Sequence, residues 1–84
     1  MSPEQRAILI AAFYAAHHDA LFDQITIAAI RGCSTATMER DRWAGGGIPY
    51  IKICRAVRYR KSDVLTWLAQ YQTQNSTSDS EKAA

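Results

Sequence analysis

The sequence predicts a mainly α domain carrying a two-stranded β-hairpin, and three observations predict it. A glycine turn at Gly32-Cys33 separates two short helical segments, and Ser34 stands at the cap position of the second. Ala44-Gly45-Gly46-Gly47 then breaks the chain. Two β-rich runs follow, Ile48–Ile53 and Val57–Arg60, with arginine at alternate positions of the second. Helix, short turn, helix, hairpin is the order of a winged helix-turn-helix.

Each element has its own signal. Ser2-Pro3-Glu4-Gln5 starts a helix, with Ser2 as N-cap, Pro3 at the first helical position and Gln5 completing a capping box. The helix is expected to run to about Asp19. Ile8, Ala11, Ala12, Ala15 and Ala16 form one stripe, and Leu9, Ile10, Phe13 and Tyr14 widen it around most of the circumference. A helix apolar on that many sides must bury more than one face. Ile10, Phe13 and Tyr14 are therefore candidates for self-association, with docking of a partner as the alternative.

Asp23 or Thr26 starts the second helix, whose apolar face is supplied by Ile25, Ile27, Ala28 and Ile30 and which Gly32 ends. Ser34 caps a third helix, Thr35 to about Trp43, with Met38 as inward anchor. In the hairpin, Val57 and Tyr59 face one way and Arg58 and Arg60 the other, while Ile51 and Ile53 oppose Tyr50 and Lys52. That alternation predicts one core face and one mostly cationic face. Ser62 is expected to cap a last helix with Val64, Trp67, Leu68 and Tyr71 as its buried stripe. Residues 72–84 contain no large apolar side chain and are expected to be disordered. The chain thus divides into an N-terminal hydrophobic helix (1–21), a binding unit (22–71) and a tail (72–84).

Composition narrows the function. Eighty-four residues allow one domain, and an apolar fraction of 48% excludes wholesale disorder. No apolar run is long enough to span a membrane, and Ala7–Ala16 lacks the flanks of a signal peptide. The net charge of +2 conceals a segment, Arg31–Lys61, with eight basic residues against Glu39 and Asp41. Such a segment is the footprint of a phosphate-binding surface. Cys33 and Cys54 show no metal-ligand spacing and read as thiols in a reducing cytoplasm. His17 and His18, if helical, point about 100° apart and do not share a metal readily. No motif brings serine, histidine and aspartate together, so the chain is not read as an enzyme, and no cofactor is expected.

The segments STATMERDRW (34–43), GIPYIKI (47–53), VRYR (57–60) and SDVLTWL (62–68) resemble a known group. They are similar to the small winged-helix proteins of the phage excisionase and AlpA-like regulator type, related in fold to the DNA-binding domain of the MerR family. The likeness covers roughly Phe22 to Tyr71. It implies a recognition helix in the major groove, a wing along the adjacent backbone or minor groove, and a role in excisive recombination or transcription. Integrase or RNA polymerase would be protein partners, with dimers or cooperative assembly on DNA, in a cytoplasmic, nucleoid-associated setting. Cys54 stands where the family's wing turn commonly has glycine, a departure that bears on the shape of the turn.

Candidate contacts follow. Ser34, Thr35, Ala36 and Thr37 form the first turn of the third helix, where amide N–H groups and the helix dipole suit phosphate oxygens. Thr35 or Ala36 could meet a thymine methyl. Arg40, on the side away from Met38, is the best candidate for base readout, because a guanidinium pairs bidentately with guanine. Lys52, Arg55, Arg58, Arg60 and Lys61 are expected to line the wing on phosphates, with Arg55 at its tip entering the minor groove. Arg42 and Arg31 are weaker candidates. Trp43, Trp67, Tyr59 and Tyr50 are expected to be structural.

Overall fold

In the computed structural model, which describes residues 1–71, the chain forms four helices and a three-stranded antiparallel sheet. The helices are α1 (Pro3–Ala15), α2 (Gln24–Arg31), α3 (Thr35–Ala44) and α4 (Lys61–Leu68). The strands are β1 (Leu21–Phe22), β2 (Ile51–Ile53) and β3 (Ala56–Arg60), in spatial order β1-β3-β2. The expectation of a disordered tail falls on 72–84, outside the described residues.

The start of α1 is as expected. Ser2 Oγ accepts from the Gln5 amide, and Gln5 Oε1 accepts from the Ser2 amide, each at 3.2 Å. Its end is not, because the helix stops at Ala15 and Ala16 is extended. The carbonyls freed there have a distant partner. The Lys61 ammonium donates to Tyr14 O at 2.8 Å and to Ala16 O at 2.7 Å.

That clasp continues through the backbone. The Lys61 amide donates to Ala20 O and the Ser62 amide to His18 O, both at 2.9 Å. These are the first amides of α4, which normally need a side-chain cap. The expectation that Ser62 caps this helix is therefore corrected: α4 begins at Lys61 directly after β3, with no capping side chain. Beside the clasp, β1 adds a third strand that the sequence did not predict, Leu21 opposite Arg60 and Phe22 opposite Tyr59. Two residues are too few to show a period.

Asp23 caps α2 through its Oδ1, and Gly32 ends it in the left-handed conformation at φ 73°. Ile25, expected on the apolar face, is instead half exposed, while Thr26 through Ala29 are buried. Ser34 caps α3, Met38 anchors it, and Gly45 closes it at φ 79°. Gly47 answers a different need, since a Cβ there would lie 2.8 Å from Asp41 Cβ. The first strand of the hairpin begins three residues later than expected, at Ile51. Ile48 is buried in the core before it, and Pro49 has no N–H for a ladder.

All four helices feed one core: Phe13 from α1, Ile27 and Ala28 from α2, Met38 from α3 and Val64 from α4, with Ile48 and Tyr59. Phe13 is 0% exposed and packs on Phe22 at 5.0 Å between ring centres. It is therefore unavailable for self-association, which corrects its assignment. Tyr71, expected in the buried stripe, lies beyond α4, exposed, with its ring against Trp67.

The hairpin turn explains itself through Cys54. Ile53 pairs with Ala56, leaving Cys54 and Arg55 as a two-residue turn, and Cys54 takes φ +55°. Such turns require positive φ at their first central residue, which a Cβ opposes. Cys54→Gly should therefore raise stability by a few tenths to about 1 kcal/mol, relief of strain exceeding the added chain entropy. Thermal unfolding checks this; a fall in midpoint would show that the turn is unstrained.

Candidate nucleic-acid interface

Helix α3 presents one outward face. Opposite buried Met38 stand Ala36, Arg40 and Trp43, with Glu39 to one side, all exposed. At its start, Ser34 Oγ accepts from the Thr37 amide at 3.2 Å and lies 3.1 Å from Thr37 Oγ1. Both hydroxyls thus serve the cap, leaving the amides of Thr35 and Ala36 as the anion-seeking groups of the first turn. Arg40 makes no ion pair among the described residues. Asp41, next in sequence but about 100° away on the helix, binds Arg31 at 2.9 Å.

Other cations are committed to holding the fold. Arg31, besides pairing with Asp41, lies 4.7 Å over the Trp67 ring. Arg42 Nη1 donates to Gln24 Oε1 and to the Tyr59 hydroxyl, both at 2.9 Å. These contacts bolt α3 to α2 and β3. Arg60 faces Asp63 at 3.6 Å. Lys61 departs furthest from expectation: it is 8% exposed, with its ammonium on the end of α1. It does not line the hairpin surface. Among the described residues, the cations left for a ligand are Arg40 on α3, Lys52 and Arg55 exposed on the hairpin, half-buried Arg58, whose Nη1 donates to Val57 O, and Arg60, whose side chain is 41% exposed beside Asp63.

The hairpin does not separate core from cation as cleanly as alternation suggested. The register sets Ile51 opposite Arg58 and Lys52 opposite Val57. Directly opposed residues share a face, so each face mixes charge with apolar surface. Ile53, near the turn, is half exposed because the hairpin there extends past the core.

Sequence reasoning missed Trp43. It was expected to be structural, yet its side chain is 93% exposed, while Tyr59 is buried and Trp67 half-buried as expected. Its wheel position, three residues after Arg40 and seven after Ala36, carried the signal. Trp43, Arg42 and the half-exposed Tyr50 line a shallow cleft of about 250 Å³ joining the end of α3 to the base of the hairpin.

On α1, Ile10 is half-buried, whereas Tyr14 and Ile8 are exposed. Arg6 Nε donates to Ala29 O at 2.9 Å, tying the helix to α2. His17 and His18 lie beyond α1, so the helical reason for keeping them apart fails. Their rings stack at 4.2 Å, and their ligand atoms and those of Asp19 lie within 4.8 Å of one another. His17 Nδ1 already accepts the Asp19 amide at 3.1 Å, and all three side chains are exposed. Exposed ligands, one of them with a ring nitrogen already occupied by an amide, make a poor metal site. Cys33 and Cys54 are free thiols.

Among the described residues, no helix is long and apolar enough to cross a membrane. The chain matches no protein-family model and no curated protein.

Proposed function

We propose that the protein is a sequence-specific, double-stranded DNA-binding protein of the winged helix-turn-helix type. In this reading α3 enters the major groove and the β2–β3 hairpin is the wing. One observation carries it: Arg40 stands exposed on the outward face of a capped helix, with no ion pair among the described residues, next to a hairpin bearing Lys52, Arg55 and Arg58. The resemblance to excisionases and AlpA-like regulators favours a role in excisive recombination or in transcription of a mobile element. Integrase or RNA polymerase would then be recruited, and the protein would sit on the nucleoid.

A second reading, docking of a host or element protein through α1, draws on exposed Ile8 and Tyr14. The two separate by which surface matters, DNA function depending on Arg40 and docking on Ile8 and Tyr14.

The test is a salt-dependent anisotropy titration on duplex DNA from around the protein's own gene. Binding should weaken with salt, and Arg40→Ala should reduce preference for the specific site by about 10- to 100-fold. Equal affinity for specific and random duplex at every salt concentration would defeat the site-specific reading.

A further inference from the structure

We propose that Trp43 is a DNA-contact residue whose indole packs on the deoxyribose edge of the duplex, at the rim of the groove that Arg40 enters. The proposal rests on the DNA-binding reading and adds to it an apolar contact that sets affinity rather than sequence preference.

The first support is exposure. At 93%, Trp43 is more exposed than any other large hydrophobic residue described. The second is direction. At about 100° per residue, Ala36, Arg40 and Trp43 fall within roughly 60° of one another, opposite Met38. A surface that meets Arg40's ligand therefore also faces the indole. The third is position along the axis. Trp43 lies about 4.5 Å beyond Arg40 toward the end of α3, and about 10 Å beyond Ala36. A helix that offers its first turns to base edges brings its last turn to the groove wall, which is sugar and phosphate.

Charge selects the sugar. Arg42, the cation sharing the cleft with Trp43, is engaged by Gln24 and Tyr59, and Glu39 is exposed nearby, so among the described residues no free cation besides Arg40 stands beside the indole to seek another phosphate. An uncharged indole instead matches the C–H surface of deoxyribose. The cleft shared by Trp43, Arg42 and Tyr50 continues that surface to the base of the hairpin. Trp43 thereby links the outward face of α3 to the base of the hairpin, extending the contact beyond the cations.

The test uses the full chain with Trp43→Ala and Trp43→Phe; the exposure of the side chain makes both compatible with folding. Trp43→Ala should raise Kd about tenfold on specific and random duplex alike. The dependence of log Kd on log salt should stay unchanged, because an indole displaces no counterion. Trp43→Phe should keep most of the affinity. The emission that Trp43→Phe removes should shift to shorter wavelength in the wild type on binding duplex, and should be shielded from acrylamide. Arg40-dependent duplex binding with unaltered Kd in Trp43→Ala and unaltered acrylamide access would overturn the role of Trp43 alone. Tighter, Trp43-shielding binding to single strands than to duplex would overturn it in favour of base stacking. Wild-type protein that binds no duplex would overturn the DNA-binding reading and this inference together.

Discussion

Replacing Phe13 by alanine is expected to cost about 3–5 kcal/mol, the range for truncating a fully buried aromatic side chain. A chain of this size holds only about 4–12 kcal/mol in total, so the variant should lose a large share of its stability. The size follows from what the ring touches. Phe13 is wholly buried, packs on Phe22, and stands 5.8 Å from the Lys61 ammonium across its ring. Its loss opens a cavity where α1, β1 and the start of α4 meet. Urea unfolding followed by circular dichroism measures it, as a drop in midpoint at similar slope. A folded Phe13→Ala that changes only sedimentation would return the residue to an oligomer interface. Tyr14→Ala is the contrasting variant: its exposed ring should cost little, and any change in association would appear there without a loss of fold.

What the sequence made legible and what it hid divide along the range of the interactions. Local signals were read correctly: the Ser2–Gln5 capping box, the Ser34 cap, the left-handed glycine at 32, and Met38 as inward anchor. Each is written within a few residues. The early end of α1, the uncapped start of α4 and strand β1 were not legible, because all three arise from one junction between residues 14–22 and 59–62. No local pattern announces that a lysine will serve a helix end more than forty residues earlier in the chain.

The candidate site shows the same division. Charge counting found the basic segment between Arg31 and Lys61 but could not say which cations the fold would use. Arg31 is taken by Asp41 and Trp67, Arg42 by Gln24 and Tyr59, and Lys61 by α1. Arg40 points away from the core and pairs with no described residue, whereas Asp41, about 100° round the helix, pairs with Arg31. The hairpin faces were misjudged for a related reason. Alternation gives the two sides of a single strand, but the pairing register decides which residues of two strands share a side. Trp43 was misjudged by residue type: tryptophan is usually buried on average, and its helical position was the better guide.

Lys61→Met is expected to lower stability by about 3 kcal/mol, from the loss of two charge-assisted hydrogen bonds that close α1. Methionine keeps most of the apolar stem, so the change isolates the ammonium. Two carbonyls at the negative end of the helix dipole would be left without their donor. The unfolding midpoint should fall on the order of 15 °C in a domain of this size. The proposed DNA binding, measured well below that midpoint, should keep its salt dependence, since Lys61 is buried away from any phosphate contact. A lysine on a DNA backbone behaves in the opposite way: its loss lowers the salt slope by about one and leaves the midpoint nearly unchanged. Arg55→Ala, at the exposed turn of the hairpin, is expected to follow that second pattern. Midpoint and slope measured on both variants therefore assign each cation to the fold or to the ligand. A Lys61→Met protein with an unaltered midpoint and a reduced slope would move Lys61 back to the binding surface and remove the clasp as the reason α1 ends at Ala15.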